Sequence, residues 1–142
     1  MKDLNFSVKD CYKTENPKLE IISPEAKLSN IFKSIQSHKE SRTVFVVDEN
    51  KTLLGLIDIQ SLLKIISSQL VKHDSLANFG LVWADQAKDV MIKPTSVCPE
   101  DNVSDVLKKM VESKMEDLPV VDKENKVIGS VSCFELLDHL VD

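Results

Sequence analysis

The chain repeats itself. Val46-Val47-Asp48 followed by Gly55 returns as Val120-Val121-Asp122 followed by Gly129, 74 positions later and with no gap between. Two of the three glycines in the 142-residue protein therefore stand at equivalent places. At this shift residues 42–66 lie over 116–140, and Leu62/Leu136 and Leu63/Leu137 also match. Val44/Leu118, Leu53/Val127, Leu54/Ile128 and Ile57/Val131 keep their apolar character. Upstream the shift becomes 75, where Pro24/Pro99, Glu25/Glu100, Ser29/Ser104 and Lys33/Lys108 agree. Earlier still, Lys9-Asp10-Cys11 is similar to Lys88-Asp89-Val90. Because Pro, Gly and Asp positions agree as well as apolar ones, chance patterning is a poor explanation. A duplicated unit implies two similar lobes with a crevice between them, a natural place for a ligand.

Lobes of about 60 residues are marginal alone, so they are expected to pack on each other. The net charge of -5 argues against a nucleic-acid partner. No apolar run approaches the roughly 20 residues needed to span a bilayer, so no membrane partner is expected. Met1-Lys2-Asp3-Leu4-Asn5 lacks the apolar core of a signal peptide. Cys11, Cys98 and Cys133 form an odd set without a CxxC, which reads as reduced thiols in a cytoplasmic protein. His38, His73 and His139 are too scattered for a metal site. No phosphate loop, nucleophile elbow or dinucleotide fingerprint is present, so no catalytic residue is assigned and an enzyme is not expected.

The elements follow the same order twice. Leu19–Ile22 suits a strand, and Ser23-Pro24-Glu25 reads as a helix start with Ser23 as cap. Leu28, Ile31, Phe32 and Ile35 fall at helical spacing. Strands over Val44–Val47 and Leu53–Ile57 flank a polar turn, and a helix over Leu62–Leu70 follows. Gly55 inside a strand marks a close approach by another group. In the second unit Thr95–Val97 reads as a strand and Cys98-Pro99-Glu100 as a helix start. Val103, Val106, Leu107, Met110 and Val111 form a helical stripe, strands follow over Leu118–Val121 and Val127–Val131, and Phe134–Val141 closes with a helix. The expected fold class is α/β (α+β), two β-α-β-β-α units. The reading assigns residues 1–16 to an N-terminal arm, 17–72 to the first repeat, 73–86 to a connecting segment and 87–142 to the second repeat. The joint carries Phe79, Gly80, Leu81, Val82 and Trp83, too apolar for a loose linker and expected to pack over the crevice or against a second subunit.

Lys88-Asp89-Val90-Met91, Val97-Cys98-Pro99-Glu100-Asp101, Asp117-Leu118-Pro119-Val120-Val121-Asp122 and Gly129-Ser130-Val131-Ser132 carry a resemblance. The chain resembles a tandem pair of cystathionine-β-synthase-type (CBS) domains, a Bateman module, over about residues 8–142. The resemblance implies two repeats packed sheet to sheet about a pseudo-twofold axis, with two clefts between them and a homodimer of pairs. It also implies a regulatory sensor that binds an adenosine compound in the inter-repeat cleft (AMP, adenosine, ADP, ATP or S-adenosylmethionine) and signals to a protein partner.

The family's ligand motif is Gly, two apolar residues, Ser or Thr, two variable residues, then Asp. A hydroxyl where a strand gives way to a helix can hold a phosphate together with the helix amides. A carboxylate one turn later accepts hydrogen bonds from the ribose hydroxyls. In the second unit the motif is Gly129-Ser130-Val131-Ser132-Cys133-Phe134-Glu135, with Ser132 at the hydroxyl position and Glu135 replacing the usual Asp. By the resemblance, Ser96, Leu118, Pro119 and Val120 border the base pocket. The same Ser132/Glu135 spacing is that of a helix capping box, a role compatible with ligand binding. In the first unit Asp58 stands where the hydroxyl belongs and Ser61 where the carboxylate belongs, so one occupied site per chain is expected.

Relatives often carry basic residues where this chain has Glu116 and Asp117, which ranks adenosine, AMP or S-adenosylmethionine above ATP. Lys39 and Arg42 are candidates for supplying positive charge. The competing reading is a ligand-free structural or partner-docking dimer, favoured by the altered first motif and by Glu116-Asp117.

Overall fold

In a computed structural model of the chain, residues 5–14, 21–37, 43–72 and 85–141 are described here. His38, Lys39, Arg42, His73, Leu19 and the apolar joint from Phe79 to Trp83 lie outside the described residues. The chain forms two compact units, and neither is a continuous stretch of sequence. The first unit comprises residues 20–49 and 54–93, and the second comprises 1–19, 50–53 and 94–142.

The first unit holds a sheet in the order β2 (Ile21–Ile22), β3 (Thr43–Val47), β4 (Leu53–Asp58), with β2 parallel to β3. Helix α1 (Leu28–Ser37) turns Leu28, Ile31 and Ile35 inward at helical spacing. They meet Val44, Val46, Ile57 and Leu62, the last from α2 (Ile59–Lys72). Every residue of β3 is buried, as expected for a central strand covered on both faces. A short helix α3 (Ala87–Val90) packs on this unit through Ala87, and Ile92 then pairs antiparallel with Leu56. That pairing explains Gly55. A Cβ built there would lie 2.6 Å from Met91 Sδ, 2.8 Å from its Cγ and 2.9 Å from its Cβ.

The second unit is built alike. Its sheet runs β1 (Lys13–Thr14), β6 (Val127–Ser132), β5 (Asp117–Val121), with both pairings antiparallel. Val97 adds a parallel bridge to Val120 on the far side of β5. Helix α4 (Val103–Ser113) turns Val103, Val106 and Met110 inward, and α5 (Cys133–Leu140) contributes Leu136. Along β6 the buried positions alternate, with Val127, Gly129 and Val131 inward and Ser130 and Ser132 half-exposed.

The segment read as an arm begins this unit. A 3-10 turn over Val8–Asp10 buries Val8 completely, and the Val8 and Lys9 amides donate to the carbonyls of Asp101 and Pro99, each at 2.9 Å. Lys88 and Ala87 donate to Pro24 and Ala26 in the first unit, the corresponding carbonyls under the repeat. The Ser7 and Gln86 amides donate to the Asp10 and Asp89 carboxylates at 2.9 and 3.2 Å, an equivalent cap in each repeat. Each repeat therefore starts with a capped turn and a short edge pairing.

Two helix starts differ from the sequence expectation. Pro24 and Pro99 occupy turns, and the helices begin later, at Leu28 and Val103. The reason lies in competing hydrogen bonds. Ser23 Oγ accepts the Glu25 amide at 3.2 Å, and the Asp101 carboxylate accepts the Cys98 amide at 2.9 Å. Asn102 then caps α4 by accepting the Asp105 amide at 2.9 Å. Thr95–Val97 is not a full strand, since only Val97 bridges.

Candidate functional site

The junction between β6 and α5 places the two motif residues together. Ser132 has extended backbone as the last residue of β6 and is the N-cap of α5. Its amide donates to Glu135 Oε1 at 3.0 Å, and the Glu135 amide donates to Ser132 Oγ at 3.2 Å. This reciprocal pair satisfies two of the helix's otherwise unbonded N–H groups. Both side chains are half-buried, so hydroxyl and carboxylate are held side by side at an accessible edge.

Strand β5 supplies the facing wall. Asp117 pairs with Ser132, Leu118 with Val131 and Pro119 with Ser130. Residues directly opposite in an antiparallel pair project from the same face, with Cβ atoms about 4.5–5.5 Å apart. Asp117 and Ser132 are therefore cross-strand neighbours. Leu118 and Val120 project from the other face and are fully buried, so their side chains belong to the core. Only their backbone could meet a ligand on the Ser132 face. Pro119 shares that face, and its carbonyl is taken by the Val97 amide at 3.0 Å. Ser96 lies just before Val97, half-buried, with its carbonyl accepting Lys109 Nζ at 2.8 Å. Lys109 Nζ also lies 3.9 Å from Asp101.

Among the described residues, carboxylates gather at this junction. The Cys133 amide donates to the Glu116 carbonyl at 2.8 Å, folding the residue before β5 onto the first turn of α5. Burial raises the Cys133 thiol above its ordinary value, and the Glu116 and Asp117 carboxylates raise it further. On another side, the Cys11 thiol donates to the Val8 and Ser7 carbonyls. Burial, then Glu135, then Asp10 push its pKa up to about 11. Phe6 stacks on His139 of α5 with ring centroids 4.9 Å apart. The sequence reading did not place Cys11 or Phe6 near this helix; only the similarity of Lys9-Asp10-Cys11 to Lys88-Asp89-Val90 hinted at it.

In the first unit the roles are exchanged. Asp58, immediately before α2, accepts both the Ser61 amide at 2.9 Å and the Ser61 hydroxyl. The helix start is satisfied as in the second unit, but the hydroxyl and carboxylate sit in each other's places. Among the described residues no group of His, Cys, Asp and Glu could hold a metal ion, and no helix is long and apolar enough to cross a membrane.

Known proteins of similar sequence and structure fit this construction. The chain is 33% identical over 88 residues to a homoserine O-acetyltransferase of Methanosphaera stadtmanae, covering 61% of this chain and 15% of that enzyme. It spans less than two thirds of the length of the curated relatives it matches. Its fold is similar to that of CBSX2, a CBS-pair protein from Arabidopsis thaliana, solved in complex with AMP. For that complex the TM-score is 0.77 at 23% identity, over 96% of each chain. It is also similar to the CBS domain pair of protein MJ0100 in complex with 5′-methylthioadenosine and S-adenosyl-L-methionine, with a TM-score of 0.73 at 18% identity over 94% of each chain. With the CBS domain family matched over residues 8–68 and again over 87–142, and each repeat built from the same capped turns, sheet and strand-to-helix junction, the chain belongs to the CBS domain family as a tandem pair.

Proposed function

We propose that the second repeat binds an adenosine compound at the Ser132–Glu135 junction and that the protein is a regulatory sensor signalling to a partner. The observation that carries this reading is the hydroxyl and carboxylate held together where β6 becomes α5. Glu135 would accept the ribose hydroxyls and Ser132 would face the 5′ substituent. Leu118 and Val120 would present backbone to the base, with Pro119 and Ser96 at its border. The complexes of similar fold with AMP, 5′-methylthioadenosine and S-adenosyl-L-methionine support this ligand class. The exchanged Asp58/Ser61 pair supports one occupied site per chain. Three unpaired thiols fit a cytoplasmic setting, and the partial match to an acetyltransferase gives no reason to assign enzymatic activity.

A thermal-shift panel of adenosine compounds tests the reading. At about 100 times Kd, linkage adds about 2.7 kcal/mol, which for a chain of this size is a rise of roughly 5–10 °C. A panel with no shift for any compound contradicts it.

A second reading has its own observation. Phe134, Leu137 and Val141 line one face of the last helical segment and are 69%, 47% and 64% exposed. Val111 on α4 is 77% exposed. A ligand-free docking dimer of two copies would cover such a face. Sedimentation of a monomer, with Phe134→Ser behaving as wild type, would remove that support.

A further inference from the structure

We propose that residues 5–14 act as a strap that holds α5 at both ends, and that its docking on the second repeat is coupled to ligand binding at the junction of β6 and α5. This rests on the adenosine reading above and adds the regulation of that site.

The strap meets both turns of α5. In the last turn His139 carries the Phe6 ring, with centroids 4.9 Å apart and planes at 27°. In the first turn stands Glu135, close enough to Cys11 that its charge, after burial, helps to keep the thiol protonated. Beside the junction, β1 pairs with β6 through Lys13 and Ser130 and through Thr14 and Gly129, on the edge away from β5.

The other side of the strap is fastened to the entry of α4. The Val8 and Lys9 amides donate to the Asp101 and Pro99 carbonyls, each at 2.9 Å, and the Phe6 carbonyl accepts the Val103 amide at 3.2 Å. Ser7 bridges Asn102, the residue that caps α4. The strap therefore ties the start of α4 to the helix that carries Glu135.

Such a segment can release while the rest of the unit stays folded. Its edge pairing is two residues long, and among the side chains of residues 5–12 Val8 alone is fully buried. Little buried apolar surface places a segment at the low end of a protein's range of opening free energies. A ligand shifts the balance of docked and released states by its difference in affinity for the two.

The sign follows from what seats the junction. Hydrogen bonds from a ligand to Ser132 and Glu135 require the first turn of α5 to sit on the end of β6, where these residues exchange bonds at 3.0 and 3.2 Å. With the strap docked, α5 is already seated. With the strap released, this eight-residue helix loses a support at each end, and binding must first order it. The docked state is the tighter binder. By reciprocity the ligand tightens the strap by the same factor, and couplings of this kind are typically about 5- to 150-fold.

Amide hydrogen exchange and calorimetry on the full chain, with adenosine, AMP and S-adenosylmethionine, test both directions. The Val8 and Lys9 amides report docking, because their acceptors belong to the α4 entry, and the Val121 amide, bonded to the Val97 carbonyl, reports unfolding of the whole unit. In the free protein Val8 and Lys9 should exchange faster than Val121. At saturation with the tightest binder their exchange should slow about tenfold. Val8→Asp puts a charge at a fully buried position and should release the strap, weakening the same compound about tenfold. Its Val121 exchange shows whether the unit is still folded, and Phe6→Ala/Val8→Ala replaces it if not. Binding with Val8 and Lys9 exchange unchanged or faster overturns the coupling and leaves the adenosine site standing. So does exchange of Val8 and Lys9 as slow as that of Val121 in the free protein. Binding of none of the three compounds overturns the adenosine reading and the coupling with it.

Discussion

Lys51 and Asn125, equivalent residues of the two repeats, both have φ of 65°, and each offers its carbonyl to the other's turn. The Leu53 amide donates to the Asn125 carbonyl at 3.0 Å, and the Val127 amide donates to the Lys51 carbonyl at 2.9 Å. The two bonds exchange under the 74-residue shift. Thr52 and Lys126 form the bridge between them, and Asn125 Nδ2 adds a bond to the Leu53 carbonyl at 3.3 Å. The left-handed conformation is tolerated by Asn and costs a long side chain about 1 kcal/mol. Lys51→Asn is therefore expected to stabilise the protein by about 0.5 kcal/mol, read as a higher urea midpoint with unchanged slope. A lower midpoint would contradict the turn's assigned geometry.

Gly55 is fixed by Met91. Gly55→Ala places a Cβ against three Met91 side-chain atoms, and the Met91 Cβ cannot rotate away. The expected loss is about 1–3 kcal/mol. In a Met91→Ala background, where the clashing Sδ and Cγ are gone, the same substitution should cost distinctly less. Equal cost in both backgrounds, measured by denaturant titration, would contradict this.

The junctions of the two repeats use the same cap in opposite senses. Asp58→Ala is expected to cost about 1 kcal/mol, as is Ser132→Ala, because each removes an acceptor from a helix N-terminus. The double exchange Asp58→Ser/Ser61→Glu rebuilds a Ser-x-x-Glu capping box and should stay within about 0.5 kcal/mol of wild type. If the exchange also adds a second adenosine-binding event per chain, the difference between the repeats is one of function rather than stability.

Cys11 should be unreactive at neutral pH. With its pKa pushed from 9.0 to about 11, its alkylation by iodoacetamide, followed by peptide mass spectrometry, should accelerate only toward pH 11. A midpoint at 9 or below contradicts the burial and the approach of Glu135. The linkage has a definite sign. Below pH 9 the thiol is neutral in folded and unfolded chains alike, whereas between 9.0 and about 11 the unfolded chain ionises first, so the folded state loses stability as pH rises through this window. Cys11→Ala should lose less stability over the same window than wild type does.

Much of the fold was legible because the signals are local. The β-branched and aromatic run Val44–Val47 specifies a strand, and the spacing of Val103, Val106 and Met110 specifies a helix. The helix starts were misplaced because proline fits both the first turn of a helix and a preceding turn, and only the Asp101 and Asn102 hydrogen bonds decide between them. The role of residues 7–14 was hidden for another reason. Val8 is fully buried and Lys13–Thr14 pair with β6, but the partners lie near the opposite end of the chain. At the candidate site, the spacing of Ser132 and Glu135 reads as a capping box, and only the resemblance to the family motif marks them as ligand residues. The separation of Leu118 and Val120 from Pro119 could not be read from the sequence, because alternation along β5 becomes meaningful only once one face is known to carry Ser132.

Loss of the ribose acceptor gives a quantitative expectation. Glu135→Ala should weaken binding of whichever adenosine compound stabilises the protein by about 10- to 100-fold, the loss of one or two charge-assisted hydrogen bonds. Glu135→Gln, which keeps a capping acceptor, separates lost binding from a frayed helix. Binding by Glu135→Ala as tight as wild type would show the ribose assignment to be wrong.

The most direct measurement is a backbone amide spectrum of the isotope-labelled protein during titration with adenosine. The expected result is saturable movement of the Ser132, Cys133 and Glu135 amides, with the Asp58 and Ser61 amides unmoved. Saturable movement confined to other residues, or none at all at millimolar adenosine, would contradict a ligand site at the junction of β6 and α5.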